Sequence, residues 1–167
     1  FLKKINKKYN HLKFYNFDQR KIKKHNFDNS KNYLIISPHP DDETLGAGAT
    51  IAKFAESGTK VFVLVVSGHL PPLYNQNEFD VTKKEALKAF KILGVYKSDF
   101  LKIPATTTHN IPTAELNKKI SDYILEIKPE LVLIPFPDRH IDHRTIFDAA
   151  VVGCRPIGKS APKMVLA

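Results

Sequence analysis

Two short segments of the sequence hold histidines and acids at spacings that suit a metal site. The first is HPDDE at residues 39–43, where His39 and Asp42 stand three positions apart at a predicted helix start. Side chains at this spacing point to the same side of a helix, and both types are ordinary zinc ligands. Asp41 is then free to face a water beside the metal. The alternative is that Asp41, Asp42 and Glu43 only cap the helix and complement its dipole.

The second segment is DRHIDH, residues 138–143, in which His140 and His143 are also three apart. One of these imidazoles would complete a three-ligand site that keeps a position open for water. The other would stay unliganded as an acid or an electrostatic stabiliser. Asp142 is expected to hold an imidazole in one tautomer, as carboxylates beside metal ligands commonly do. Spacing alone does not decide which of the two histidines binds the metal.

The elements that would position both segments are predicted to alternate along the chain. Apolar runs without polar alternation indicate strands that are buried on both faces, and such strands form parallel sheets covered by helices. The predicted strands are 33–37, 60–66, 99–103, 130–135 and 163–166, and the predicted helices are 43–57, 80–93, 113–127 and 144–152. HPDDE follows the first of these strands and DRHIDH follows the fourth. The sequence therefore predicts an α/β domain with a mostly parallel sheet.

The histidines of this domain all lie in segments that follow predicted strands: His39, His69, His109, His140 and His143. Ligand sites of open parallel sheets form at the carboxyl ends of the strands, so this distribution favours a shared site. His69 and His109 are candidate substrate contacts, with solvated loop histidines as the alternative. The loop at residues 67–79 is interpreted as a lid over the substrate or as a plain connection.

The basic character of the chain belongs to its N-terminal segment. The net charge is +9, and residues 1–32 alone hold ten Lys or Arg against two Asp, a balance of +8. We therefore expect no nucleic-acid partner for the domain that follows. The segment is read as a solvated or docked extension, with contact to an anionic membrane surface as an alternative. A single cysteine and the lack of a long apolar run favour a reducing, cytoplasmic location.

The motif pair SPHPDDETLGAG and PDRHIDHR resembles the PIG-L/LmbE family of zinc-dependent de-N-acetylases. Members of that family combine HPDDE with a distant HxDH on a Rossmann-like fold. The resemblance implies a three-layer sandwich for residues 33–167, after a basic extension at residues 1–32. It also implies that the chain removes an acetyl group from an N-acetylamino sugar of the N-acetylglucosamine type, with the synthesis of a cell-surface glycan or glycolipid as the expected context.

The resemblance also assigns roles to individual residues. His39, Asp42 and His143 would bind the metal, and Asp41 would be the general base. His140 would be the charged group that steadies the oxyanion or protonates the leaving amine. The implied cofactor is Zn²⁺, although two nitrogens and one carboxylate also suit Fe²⁺.

Two features of the sequence depart from the family pattern. Asp138 stands where some members place a tyrosine, and the sequence ends soon after KMVLA, where members usually continue, so the domain is expected to be truncated. Two alternatives follow. One is an inactive member that serves as a binding or interaction protein, and the other is hydrolysis of a different amide at the same metal centre.

Overall fold

The computed structural model describes residues 31–158 and 160–167. Most of the predicted basic extension, together with the membrane contact considered for it, lies outside these described residues. The predicted boundary falls close to the first strand, because Asn32 begins β1.

Five parallel strands form one sheet in the order β3-β2-β1-β4-β5. They are β1 Asn32–Ser37, β2 Lys60–Gly68, β3 Lys97–Pro104, β4 Leu131–Leu133 and β5 Met164–Leu166. The central strand β1 pairs with β2 on one side and with β4 on the other. Every residue from Val61 to Gly68 is buried, as expected for a strand covered on both faces. The all-parallel sheet confirms the predicted α/β class.

Four helices cover the two faces of the sheet: α1 Asp42–Glu56, α2 Gln76–Leu93, α3 Thr113–Ile127 and α4 Ile141–Gly153. Alternate residues of β1 point to opposite faces. Leu34 and Ile36 pack in the cluster that contains Ile120 of α3 and Ile146 of α4. On the other face, Tyr33 and Ile35 pack in the cluster that contains Ile51 of α1 and Phe90 of α2. The protein therefore has the predicted three-layer, Rossmann-like arrangement.

The helix ends follow sequence signals that fix how the chain turns back to the sheet. Gly94 closes α2 with a φ of 76°, a left-handed conformation that glycine adopts at little cost. A Cβ built at this position would lie 2.8 Å from the Ala55 Cβ, so the close approach of α1 also requires glycine. Among the described residues, no helix combines the length and apolar character needed to cross a bilayer.

The structure moves several predicted boundaries. Helix α2 begins at Gln76 rather than at residue 80, so the end of the loop at residues 67–79 is helical. Helix α4 begins at Ile141 rather than at residue 144, which puts two of the predicted site residues inside its first turn. Strand β4 ends at Leu133, two residues earlier than predicted. By contrast, α3 has the predicted bounds and buries the predicted face.

Candidate metal centre

The end of β1 delivers HPDDE to the carboxyl edge of the sheet. Ser37 is the last residue of the strand, and α1 begins at Asp42. The backbone between them turns tightly, since the amide of Asp41 donates to the carbonyl of His39 at 3.0 Å. The amide of His39 donates to Asp42 Oδ2 at 3.1 Å, which fixes that carboxylate beside the histidine ring.

The acids of this segment do more than cap α1. Asp41 occupies the N-cap position, yet its side chain makes no capping hydrogen bond and is exposed. Glu43 is buried, and its carboxylate lies 2.8 Å from the hydroxyls of both Ser37 and Thr44. Asp42 turns towards His39. The three acids therefore have three different surroundings, which argues against the cap-only alternative.

The second segment enters α4 through His140, which is its N-cap residue. His140 Nδ1 accepts a hydrogen bond from the amide of Asp142 at 3.2 Å. Ahead of the helix, Asp138 Oδ1 accepts from the amide of His140 at 2.7 Å. Arg144 binds the carbonyls of Asp138 and Arg139, at 3.1 and 2.6 Å, and so ties the preceding loop to the helix. These bonds hold the loop against the first turn of the helix, which carries His143.

The two segments meet because β1 and β4 are neighbours in the sheet. His39, His140 and His143 each offer one ring nitrogen, and these atoms all lie within 4.8 Å of one another. Asp42 Oδ2 lies 3.2 Å from His39 Nδ1 and 3.3 Å from His143 Nε2. Two ligand atoms about 2.0–2.1 Å from a tetrahedral zinc ion would lie about 3.3–3.4 Å apart. The residues present therefore fit a divalent cation.

Each of two rings holds its second nitrogen against a carboxylate. Asp142 Oδ2 lies 2.9 Å from His39 Nε2, and Asp138 Oδ2 lies 2.9 Å from His143 Nδ1. A ring that donates an N–H to a carboxylate keeps its other nitrogen free as a lone-pair donor. In both rings that other nitrogen faces Asp42. A lone pair facing a carboxylate oxygen needs either a proton or a cation between them, and a bound metal would supply the cation.

The pKa shifts of the site also indicate a need for positive charge between these rings and carboxylates. Burial alone would lower the pKa of His39, but hydrogen bonds and charge from Asp142 and Asp42 outweigh it and raise the pKa to about 9. For Asp42, burial acts upward, and the hydrogen bond to His39 with the charge of His143 brings its pKa below the usual range. Asp142 also has a strongly lowered pKa, because its bonds to His39 and Thr108 outweigh burial. Without a metal, the site therefore holds its positive charge on protons.

The structure brings together His39, Asp42, His140, His143 and Asp142, all of which the sequence singled out. The cluster offers one donor more than a three-ligand centre uses, because His140 stands beside the predicted ligand set. The ring centroids of His140 and His39 are 4.7 Å apart. Asp41 lies at the turn before α1, and its role as general base stays a prediction, as does the unliganded role of His140.

The two candidate substrate histidines are not among the three histidines whose ring nitrogens cluster. His69 lines a cavity of about 310 Å³ with Tyr74 and residues of α2, and its ring centroid is 4.4 Å from that of Tyr74. His109 is exposed in a short 3-10 turn, Thr108–Asn110. A larger cavity of about 470 Å³ borders Asp42 and His143 instead, and its lining is mostly apolar. Substrate contact by His69 or His109 stays a prediction.

Several polar residues of the site were missed by the motif reading. Asp138 binds His143, and Ser67, Thr106 and Thr108 bind Asp142. A signal existed for them, since each follows a predicted strand, as the histidines do. Threonine and serine are too common in loops for that position alone to distinguish them.

Comparison with known proteins assigns the family. The family model described as GlcNAc-PI de-N-acetylase, PIG-L, matches residues 34–153, which is most of the chain and includes both histidine segments. The chain belongs to the PIG-L family. The predicted resemblance is thereby confirmed, and with it membership in a family of deacetylases.

Two curated relatives and one solved structure illustrate the range of the PIG-L match. The chain is 34% identical over 128 residues to the diacetylchitobiose deacetylase of Thermococcus kodakarensis, covering 71% of this chain and 47% of that protein. It is 32% identical over 139 residues to the uncharacterized deacetylase YaiS of Escherichia coli, covering 76% of this chain and 70% of YaiS. The structure of N,N'-diacetylchitobiose deacetylase from Pyrococcus horikoshii aligns with a TM-score of 0.66 and 27% identity.

The alignments with the longer relatives cover only part of their length. The alignment with the Pyrococcus structure covers 74% of this chain and 49% of that one. The chain thus spans about half the length of the diacetylchitobiose deacetylases that it matches, at 47% and 49%. The family model's match, residues 34–153, contains the whole cluster of histidines and acids described above.

Proposed function

We propose that this protein hydrolyses the acetamide of an N-acetylated amino sugar of the N-acetylglucosamine type. Support comes from membership in the PIG-L family and from relatives whose names describe deacetylases of acetylated sugars. The single observation that carries the proposal is the position of Asp42 Oδ2. It lies 3.2 Å from His39 Nδ1 and 3.3 Å from His143 Nε2, as the oxygen of a shared metal site would.

We propose Zn²⁺ as the ion, held by His39, Asp42 and His143. Two imidazoles and one carboxylate are a common catalytic zinc set, and Fe²⁺ is the alternative that this set also accommodates. When bound, such an ion acidifies a water molecule and polarises the acetyl carbonyl. Asp142 and Asp138 would keep the two imidazoles in the tautomer that binds it.

The remaining steps belong to side chains of the protein. Asp41 is exposed at the turn before α1 and makes no capping bond, so its carboxylate is free to take a proton from the attacking water. His140 stands at the N-cap of α4 beside both ligand histidines. Its imidazole would stabilise the developing oxyanion or give a proton to the leaving amine, which is otherwise a poor leaving group.

The proposal is tested by metal analysis together with an assay of amine and acetate release. N-acetylglucosamine, diacetylchitobiose and other N-acetylglucosamine derivatives would be incubated with the protein, before and after treatment with a chelator. We expect about one zinc per chain and turnover that disappears with the chelator and returns with Zn²⁺. A protein that binds no divalent ion at micromolar concentration would contradict the proposal, and metal binding without turnover on any acetylated sugar would favour a binding role.

A further inference from the structure

Asp142 is the most completely enclosed charged group of the site. It is fully buried. Its carboxylate accepts hydrogen bonds from three segments outside α4, which are the turn after β1, the end of β2 and the turn after β3. Oδ2 receives His39 Nε2 at 2.9 Å, the amide of Thr106 at 2.7 Å and the hydroxyl of Ser67 at 3.3 Å. Oδ1 receives the hydroxyl of Thr108 at 2.5 Å and its amide at 3.4 Å.

The turn after β3 is shaped to make these bonds. Thr106 has a φ of 65°, a left-handed conformation that is costly for a β-branched residue. The turn is tied down by the amide and hydroxyl of Thr107, which donate to the carbonyl of Pro104 at 3.2 and 2.7 Å. The amide of Ala105 reaches Gly68 of β2 at 2.8 Å. Backbone strain is therefore held in place in a turn that lies outside both histidine motifs and directly precedes His109.

We propose that Thr108 is a positioning residue for the metal centre, acting through Asp142 on His39. This inference rests on the proposed metal site, and it adds a part of the chain that lies in neither histidine motif. The hydroxyl of Thr108 holds one oxygen of the carboxylate so that the other faces His39 Nε2. His39 is thereby kept with its Nε2–H on Asp142 and its Nδ1 facing Asp42.

Thr108 determines the orientation of the Asp142 carboxylate, because its hydroxyl is, within the described part of the chain, the one short hydrogen-bond donor to Oδ1. Its second bond, to the amide of Thr108, is long at 3.4 Å, and the carboxylate is closed to solvent. A charged acceptor that loses its main partner in a buried position pays a desolvation penalty that water cannot relieve. The carboxylate then reorients towards other donors, and its bond to His39 weakens. Partners of metal-binding histidines typically contribute about 10- to 100-fold to metal affinity.

The experiment measures zinc affinity of the full chain by competition with a chromophoric chelator at fixed pH. Thr108→Val removes the hydroxyl and keeps the shape, and Thr108→Ser keeps the hydroxyl and removes the methyl. Thr82→Val is the matched control, because its hydroxyl donates to the carbonyls of Glu78 and Phe79 within α2 rather than to Asp142 or the turn after β3. We expect Thr108→Val to weaken zinc binding about 10- to 100-fold. Thr108→Ser and Thr82→Val should stay within about threefold of the wild type.

A second hydroxyl deletion, Thr108→Ala, guards against a folding defect in the valine variant, and thermal unfolding of each metal-free variant identifies such a defect. If Thr108→Val does not fold, the alanine and serine variants decide by the same criterion. Wild-type zinc affinity in a folded hydroxyl deletion overturns the inference, as does equal loss in Thr108→Ser or Thr82→Val. These results leave the proposed function intact, since that proposal fails only if the wild type itself binds no metal or releases no acetate.

Discussion

The loops after β1 and β4 present their histidines to carboxylates, whereas the loop after β2 presents His69 to an aromatic ring. Second nitrogens of His39 and His143 lie 2.9 Å from Asp142 and Asp138. His69 Nδ1 is buried without a hydrogen-bond partner among the described residues, and its ring packs against Tyr74. We propose that a histidine at the carboxyl edge of the sheet needs a carboxylate behind its ring to serve as a ligand, because the carboxylate fixes the tautomer.

The contrast between these loops predicts that removing a histidine side chain has its largest effect on metal binding. His39→Ala should weaken zinc binding about a thousandfold, because roughly 10–16 kcal/mol, the range for structural zinc in small peptides, divided among three or four ligands gives about 4 kcal/mol for each. His69→Ala, the matched change in the other loop, should leave the zinc content and affinity unchanged. Dialysis against graded free zinc followed by metal analysis checks both. Equal zinc loss in the two variants would remove the distinction between the two loops.

The next effect concerns Asp41, the predicted general base of the first motif. Asp41→Asn should lower turnover by about 10²–10⁴, the usual contribution of a general base, while the bound zinc stays at the wild-type level. Asp80→Asn, an exposed acid on α2, is the control for the loss of one negative charge. Steady-state acetate release and metal content would be measured on the same preparations. Wild-type turnover in Asp41→Asn would show that another group takes the proton.

A third effect concerns the pH dependence of the metal-free protein. Burial lowers the pKa of His39, but Asp142 and Asp42 raise it to about 9 overall, with the rings of His140 and His143 adjacent. Because the folded pKa exceeds the unfolded value of about 6.5, protonated His39 stabilises the fold fully below pH 6.5. That stabilisation is lost as the pH rises through 9. Urea unfolding of the chelated protein should therefore give a lower midpoint at pH 9.5 than at pH 6.

Asp142→Asn is the control for this pH dependence, because it removes the carboxylate that pairs with His39 and should flatten the trend between pH 6 and 9.5. The variant is expected to be less stable at every pH, so the slope rather than the absolute midpoint is the measurement. A wild-type midpoint that rises over this interval would contradict the charge arrangement described for the metal-free site.

The smallest effect tests the candidate substrate contacts. Loss of one hydrogen bond at a partly exposed position costs about 0.5–1.5 kcal/mol, so His69→Ala or His109→Ala should raise KM about two- to tenfold. The value of kcat should not change, since uniform binding is lost without a change in the transition-state interactions. Steady-state kinetics on an accepted sugar would separate the two constants. An unchanged KM in both variants would return these residues to the class of solvated loop histidines.

Much of this fold could be predicted from periodicity. Helix α3 has the predicted bounds, because Leu116, Ile120 and Tyr123 recur at helical spacing and Pro129 follows its end. The start of α2 was missed by four residues, since QNEF has no apolar periodicity of its own. Only Phe79 of this stretch is buried, by packing that the sequence does not display.

The site was only partly accessible to the same reasoning. Spacing within a motif identifies His39 with Asp42 and His140 with His143, because a helix start fixes their relative directions. It cannot identify which carboxylate reaches which ring, since His39 and Asp142 are 103 residues apart. That pairing depends on how β1 and β4 lie against each other. The contact of Thr108 with Asp142 is not predictable from spacing for the same reason, because Thr108 lies in a turn after a third strand.

The separation of 103 residues between His39 and Asp142 also has a consequence for synthesis. A nascent chain that has left the ribosome only as far as β3 carries His39 and Asp42, two donors that hold a divalent ion weakly. His140 and His143 emerge later, at the start of α4. By then every strand of the sheet except the edge strand β5 has been made. An ion bound at the proposed site would therefore be acquired late, once long-range strand pairing has brought the two histidine segments together.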